Sequence, residues 1–258
     1  MSTEREIEEF YNGFSGIKGS IGFSVKGRPI YFFRIEKTAR PIIIVQCSIH
    51  AREFITARFC LKEIADFSDN GKVGSAVFIP CLNPDGVNIA ETINPLYKAN
   101  FNGVDLNVNF DARWGTGNSN VRVRGSENYI GEYPFSEPET KAIKNFTFSL
   151  KPDMTVSYHT KGEEIYYRFF QDGEDLFRDR RLAEIVAKRT GYKIVDLSGS
   201  AGGYKDWCVE KLKIPAITVE VGSDKFSHPL KSKAALNDIT GKNLGTTRIL
   251  AEGLYYGY

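Results

Sequence analysis

Short apolar runs rich in β-branched residues alternate along this chain with stretches of helical period. Pro41-Ile42-Ile43-Ile44-Val45-Gln46-Cys47 is nearly all apolar, the pattern of a strand covered on both faces. Directly after it, Phe54, Ala57, Leu61, Ile64 and Ala65 fall on one face of a helix over 53–67. The same succession continues downstream. Val73 to Cys81 reads as a strand closed by the turn Asn83-Pro84-Asp85-Gly86. Ser136-Glu137-Pro138-Glu139 starts a helix that runs to about Leu150, with Ser as N-cap, proline in the first turn and acid against the dipole. Asp153 to Tyr158 is a strand that ends at His159, and Ile165 to Phe170 a further one. An amphipathic helix over Glu174 to Thr190 stops at Gly191, and Tyr192 to Leu197 follows as a strand. After the loop 198–203 come a short helix over Asp206 to Lys213, an apolar strand over Ile214 to Val221 and a final helix over Lys233 to Tyr256.

The first forty residues are a helix over Thr3 to Phe10, a Gly-rich loop and a hairpin. In the hairpin, 21–25 and 30–35 flank Lys26-Gly27-Arg28-Pro29. Residues 88–135 are irregular and rich in Asn and Gly; a loop of that length inside a compact domain is usually functional. Strands alternating with helices, without a linker or repeat, make 1–258 one α/β domain.

Composition narrows the function classes. A hydrophobic share of 41% and a net charge of +2 suit a globular chain and give no argument for nucleic acid or an anionic membrane as partner. Met1 to Phe10 is acidic and polar, unlike a signal peptide, and no stretch is long and apolar enough to span a membrane. Cys47, Cys60, Cys81 and Cys208 are scattered, three in apolar runs, and read as buried free thiols rather than zinc ligands. The expected location is cytoplasmic.

The chemistry gathers at predicted strand ends. His50 and Glu53 stand where the 42–47 strand hands over to a helix, the edge at which open α/β sheets place ligands. His159 ends a second strand and Glu220 a third, in Ala216-Ile217-Thr218-Val219-Glu220-Val221. A carboxylate at a buried strand end is costly without a partner. Two histidines and one glutamate with an open fourth position form the donor set of catalytic zinc, and Glu220 is then placed to move protons for a metal-activated water.

Several separated motifs together resemble the zinc carboxypeptidases of the funnelin (carboxypeptidase A-like) group. They are Ser48-Ile49-His50-Ala51-Arg52-Glu53, Asn83-Pro84-Asp85-Gly86, Gly103-Val104-Asp105-Leu106-Asn107, Ser136-Glu137-Pro138-Glu139-Thr140, Ser157-Tyr158-His159 and Thr218-Val219-Glu220. The resemblance implies a mixed eight-stranded sheet with helices on both faces, one Zn2+ per chain on His50, Glu53 and His159, and Glu220 as general base. It further implies Asp105 as the carboxylate that orients His50, Arg52 as a substrate-binding arginine and Lys98 as the cation at the scissile carbonyl.

In ordinary members Asn107 is followed by an arginine, and the pair grips the substrate's C-terminal carboxylate. Here the next residue is Val108, which cannot pair with a carboxylate. The family's mobile tyrosine falls at Ser198, with Tyr204 nearby as a substitute, and its specificity-pocket position is Lys205, which favours an anionic substrate group. Together with His159-Thr160-Lys161-Gly162-Glu163-Glu164-Ile165-Tyr166-Tyr167 and Gly199 to Trp207, these features are similar to the bacterial γ-D-glutamyl-L-diamino acid peptidases. That branch implies a muropeptide substrate carrying D-Glu and meso-diaminopimelate. It leaves Arg113, Arg122, Arg124 and Lys161 as further candidates for the substrate's carboxylates. The alternatives are a carboxypeptidase with an atypical carboxylate clamp and an N-acyl amino acid deacylase.

Overall fold

A computed structural model describes residues 1–196 and 198–257. Among these residues the strands join in one sheet of eight, in the order β1-β2-β4-β3-β5-β8-β6-β7. The strands are β1 Ile17–Phe23, β2 Pro29–Glu36, β3 Ile42–Cys47, β4 Ser75–Ile79, β5 Met154–His159, β6 Glu164–Tyr166, β7 Lys193–Ile194 and β8 Ala216–Glu220. The centre, β4-β3-β5-β8, is parallel, so β3, β5 and β8 all present their carboxyl ends along one edge. β2 joins β4 and β6 joins β8 antiparallel, which makes the sheet mixed.

Central strands covered on both sides have no solvent-facing side, and β3, β4 and β5 are buried at every position. One face carries Ile43, Val45, Phe78 and Val156. It packs on α1 Thr3–Gly13, α2 Ile55–Asn70, α3 Pro84–Thr92, α5 Gly173–Thr190, α7 Lys233–Asn243 and α8 Thr246–Tyr256. The other face, with Ile44, Ile79 and Ala216, packs on α4 Pro138–Leu150, α6 Tyr204–Trp207 and the long loop through Leu106 and Phe110.

Several predicted boundaries move, each for a local reason. The hairpin's strands lie at Ile17–Phe23 and Pro29–Glu36, because the amides of Val25 and Lys26 leave the ladder to bind the buried carboxylates of Glu139 and Asp85. Asn83-Pro84-Asp85-Gly86 is the first turn of α3: the Asn83 side chain caps the Gly86 amide at 3.0 Å and Pro84 takes the position that needs no donor. The long final helix is two, broken at Gly245, whose φ of 86° lies in the left-handed region. β6 and β7 are shorter than the predicted 165–170 and 192–197; Leu197 lies outside the described residues. The short helix begins at Tyr204, not Asp206, and passes into a π turn over Cys208–Leu212.

The stretch 88–135 holds α3's end and one turn at Leu106–Val108 but is otherwise irregular, and its asparagines supply the missing backbone partners. Asn109 donates to the carbonyls of Ile130 and Tyr133, and the side-chain oxygen of buried Asn100 accepts from the amides of Asn102 and Val104. All four cysteines are buried and free.

Candidate metal centre

The turn after β3 is pinned before any chemistry is considered. Cys47 and Ser48 carbonyls accept from Leu82 and Asn83, and the Ala51 amide donates to the Lys98 carbonyl at 2.9 Å. The Asn83 side-chain amide donates to the carbonyls of Ile49 and Ala99. This fixes His50 at the edge and brings Glu53 into line through the turn Ala51–Glu53. His159 arrives at the same edge as the last residue of β5, next to β3.

Three donor atoms converge there. His50 Nδ1 lies 2.9 Å from Glu53 Oε1, His159 Nδ1 lies 3.1 Å from Glu53 Oε2, and the two Nδ1 atoms are 3.2 Å apart. All three residues are buried, and their donor atoms lie within 4.8 Å of one another. Three donor atoms gathered so closely out of water suit a shared cation, and two imidazoles with one carboxylate are a donor set for zinc. The other nitrogen of His50, Nε2, donates to Asp105 Oδ1 at 3.2 Å, which leaves Nδ1 free to ligate.

Electrostatics agree with the geometry. Burial works against the His50 imidazolium, but Glu53 and Asp105 outweigh it and lift its pKa to about 9 in the metal-free cluster. Burial also opposes ionisation of Glu53, yet His50 and His159 hold it below the usual carboxylate range. Asp105 is held low in the same way, by Lys98 and His50 against its burial. His159 moves down, chiefly through burial.

Glu220 stands beside His159, its direct partner in the β5–β8 ladder. Burial first, and then the charge of Glu53, push its carboxyl up to about 8. A cavity of about 380 Å³ opens onto these groups, lined among others by His50, Lys98, Val108, Lys205 and Glu220. Lys98 reaches Asp105 Oδ2 at 2.7 Å and Asn128 Oδ1 at 2.6 Å. Lys205 reaches Asp206 at 2.5 Å and the Arg168 carbonyl at 3.0 Å, with its charge over the Phe169 ring. Asn107 also lines the cavity, and its side-chain oxygen accepts from the Tyr204 amide at 3.2 Å.

Most other residues singled out from the sequence lie outside the cavity. Tyr204 is a correction: its ring is fully buried against Phe110 and Trp207, and its hydroxyl pairs with Thr147 at 2.8 Å, so it cannot reach a substrate. Ser198, at the place of the family's tyrosine, does line the cavity. Arg52 turns to the rim, bonded to Glu127 at 3.0 Å and to the Leu96 carbonyl at 3.4 Å. Arg113 pairs with Glu210, Arg122 lies over Trp114, Lys161 pairs with Asp224 and Arg124 lines a separate hollow. Sequence reasoning missed Asn118 and Asn128 among the cavity's lining, whereas Tyr166 and Asp206 fall within motifs it quoted without giving them a role. No local pattern marks the two asparagines, because loop packing brings them in.

Residues 7–238 match the zinc carboxypeptidase family, and the chain belongs to it. It is 28% identical over 262 residues to gamma-D-glutamyl-L-diamino acid endopeptidase 1 of Lysinibacillus sphaericus, across 87% of this chain and 65% of that protein. Carboxypeptidase O of Bos taurus is 32% identical over 223 residues, across 72% of this chain and 59% of that one. The chain therefore spans about three fifths to two thirds of these relatives' lengths. In fold, bovine thrombin-activatable fibrinolysis inhibitor superposes with a TM-score of 0.87 at 21% identity, covering 100% of this chain and 98% of that one. Murein-tripeptide amidase MpaA from Escherichia coli O157 gives 0.67 at 22% identity, covering 94% and 95%.

Proposed function

We propose that residues 1–258 form one catalytic domain, a zinc metallopeptidase that hydrolyses the γ-D-glutamyl–meso-diaminopimelate bond of peptidoglycan stem peptides. The observation that carries this reading is the make-up of the cavity: it opens on His50 and Glu220, yet offers Val108 where a C-terminal carboxylate would need an arginine. Its lysines are Lys98, near the metal cluster, and Lys205, tied to Asp206. The Lysinibacillus relative named for γ-D-glutamyl-L-diamino acid bonds supports the substrate class, as does the shared fold of the murein-tripeptide amidase.

His50, Glu53 and His159 hold the metal, with Asp105 keeping the His50 ring in position. Zinc, when bound, supplies Lewis acidity that brings the pKa of water toward neutrality, polarises a carbonyl and favours the ionised form of Glu220. Glu220 accepts the proton of the attacking water and delivers it to the leaving amine of the diamino acid. Lys98 donates to the carbonyl oxygen as negative charge grows on it.

The test is incubation of the zinc-loaded protein with L-Ala-γ-D-Glu-meso-diaminopimelate and, in parallel, with ordinary L-peptides, read by mass spectrometry. Release of free diaminopimelate is the expected result. Release of single C-terminal residues from the ordinary peptides, with the muropeptide untouched, sinks the reading in favour of a carboxypeptidase with an unusual clamp.

A further inference from the structure

Lys98 and Asn128 meet inside the cavity, thirty residues apart in sequence. An ammonium carries three N–H donors on a flexible stem and has no fixed direction of its own. At Lys98 one is donated to Asn128 Oδ1 at 2.6 Å, and the ammonium forms an ion pair with Asp105 Oδ2 at 2.7 Å. Asp105 is itself held by His50 Nε2 at 3.2 Å, so the lysine is referenced directly to a ligand of the metal cluster. The Lys98 side chain is only 18% exposed, and it lines the cavity held between these two oxygens.

Asn128 is seated for this contact by its backbone. Its φ of 63° lies in the left-handed region, which asparagine tolerates better than most residues. Its carbonyl accepts from the Val121 amide at 3.1 Å and Ile130 donates to the Val121 carbonyl at 3.0 Å, while the Tyr129 amide closes back on the Ser126 carbonyl at 3.2 Å. The neighbouring Glu127 pairs with Arg52 at the rim, but its side chain is 58% exposed, so that pair is screened by solvent and contributes little.

We infer that Asn128 is a positioning residue, which with the charge of Asp105 holds the Lys98 ammonium in place to meet the oxyanion of the hydrolytic step. A hydrogen-bond acceptor and an ion-pair partner at fixed positions give a lysine some of the directionality that a guanidinium has built in. The inference rests on the proposed reaction only for the role of Lys98; the tether itself is a contact within the protein.

Two readouts on the zinc-loaded full chain test it. Asn128→Gly suits the left-handed backbone while removing the amide, and Asn128→Asp keeps an acceptor oxygen. In the first readout, acetic anhydride labels lysines competitively and Lys98 is followed by peptide mapping. Asn128→Gly is expected to label several-fold faster at Lys98 than the wild type, with Asn128→Asp close to it. Equal labelling of Lys98 in Asn128→Gly and wild type overturns the tether. In the second, kcat and KM are measured on the muropeptide and on L-peptides. For whichever is cleaved, kcat is expected to fall roughly tenfold in Asn128→Gly with KM within about twofold, and to recover in Asn128→Asp. An unchanged kcat, or a loss confined to KM, overturns the positioning role. A wild-type protein that cleaves neither peptide overturns the proposed function instead, while the labelling result still decides the tether.

Discussion

His159 and Glu220 are direct partners across the parallel ladder of β5 and β8, each the last residue of its strand. Because side chains alternate along a strand, this register puts both on the same face of the sheet edge. A slip of one residue would send Glu220 to the opposite face. The ladder thus sets the separation between an imidazole of the candidate metal cluster and the carboxylate proposed as general base, and no flexible loop intervenes. Backbone bonds from Val221 to the His159 carbonyl, at 2.8 Å, and from Glu163 to the Glu220 carbonyl, at 2.9 Å, extend that control past the strand ends.

Glu220 lies outside the ligand cluster, so metal binding and turnover separate in a variant at this position. Glu220→Gln is expected to bind one zinc per chain, read by atomic absorption after dialysis. Its kcat is expected to fall by roughly 10²–10⁴-fold, the range for losing a general base. Lost metal would place Glu220 among the ligands, and retained turnover would remove it as the base.

Metal binding should expel a proton. In the metal-free cluster His50 sits at about 9, so at pH 7 its ring is protonated and must lose a proton before Nδ1 can ligate. Affinity for Zn2+ is therefore expected to rise with pH, approaching about tenfold per unit below pH 9. Calorimetric titrations at pH 7 in two buffers of different ionisation enthalpy should show release of about one proton per zinc. Heat changes that are identical in both buffers would contradict a protonated His50. Excess zinc should also raise the melting temperature, since the folded cluster binds the ion and the unfolded chain lacks it.

Acid stability offers a separate check, far from the metal. Glu63 is buried in α2, and it accepts from the Gly245 amide at 2.5 Å and the Thr247 hydroxyl at 2.7 Å. Burial outweighs these bonds and raises its pKa from 4.5 to about 7. A carboxyl raised in the folded state binds its proton more tightly there than in the unfolded chain. Its contribution is complete below pH 4.5 and is lost as the pH climbs toward 7. The loss is of order 3 kcal/mol, or several degrees in Tm. Calorimetry of the wild type and Glu63→Gln across that window should show a flatter pH dependence in the variant; parallel curves would refute the assignment.

Much of the site was legible because its signals are local. His50, Glu53, His159 and Glu220 each sit where an apolar run ends, and an apolar run is visible without any partner strand. The sheet's parallel centre follows from the same runs. What was not legible depends on contacts distant in sequence. Tyr204 is the immediate neighbour of Lys205 at the specificity-pocket position, but α6 begins at that residue and turns its ring into the core beside Phe110. Asn128 and Lys98 meet only because 88–135 folds back on itself through asparagine bonds that no periodicity records. The break at Gly245 was hidden because the apolar period resumes on its far side, in α8.

Val108 carries the question of which peptide is cut. It lies at the end of the turn Leu106–Val108, lines the cavity and is partly exposed, so a longer side chain there has room to enter the open space. Asn107 beside it already places its side chain in the wall through the Tyr204 amide, which leaves the neighbouring backbone in a fixed position. An arginine at 108 would bring a planar fork able to take a carboxylate through two parallel bonds, worth about 1.5–3 kcal/mol for a charge-assisted contact. Val108→Arg is therefore expected to raise kcat/KM for N-blocked L-dipeptides with a free C-terminus by about tenfold or more, through KM. The same substitution should lower kcat/KM for the γ-D-glutamyl substrate, because the added guanidinium fills space and repositions the substrate's carboxylates. Paired assays of the two substrates on wild type and variant measure the ratio directly. If that ratio does not move, position 108 does not govern the choice, and the Lys205–Asp206 pair becomes the place to look for it.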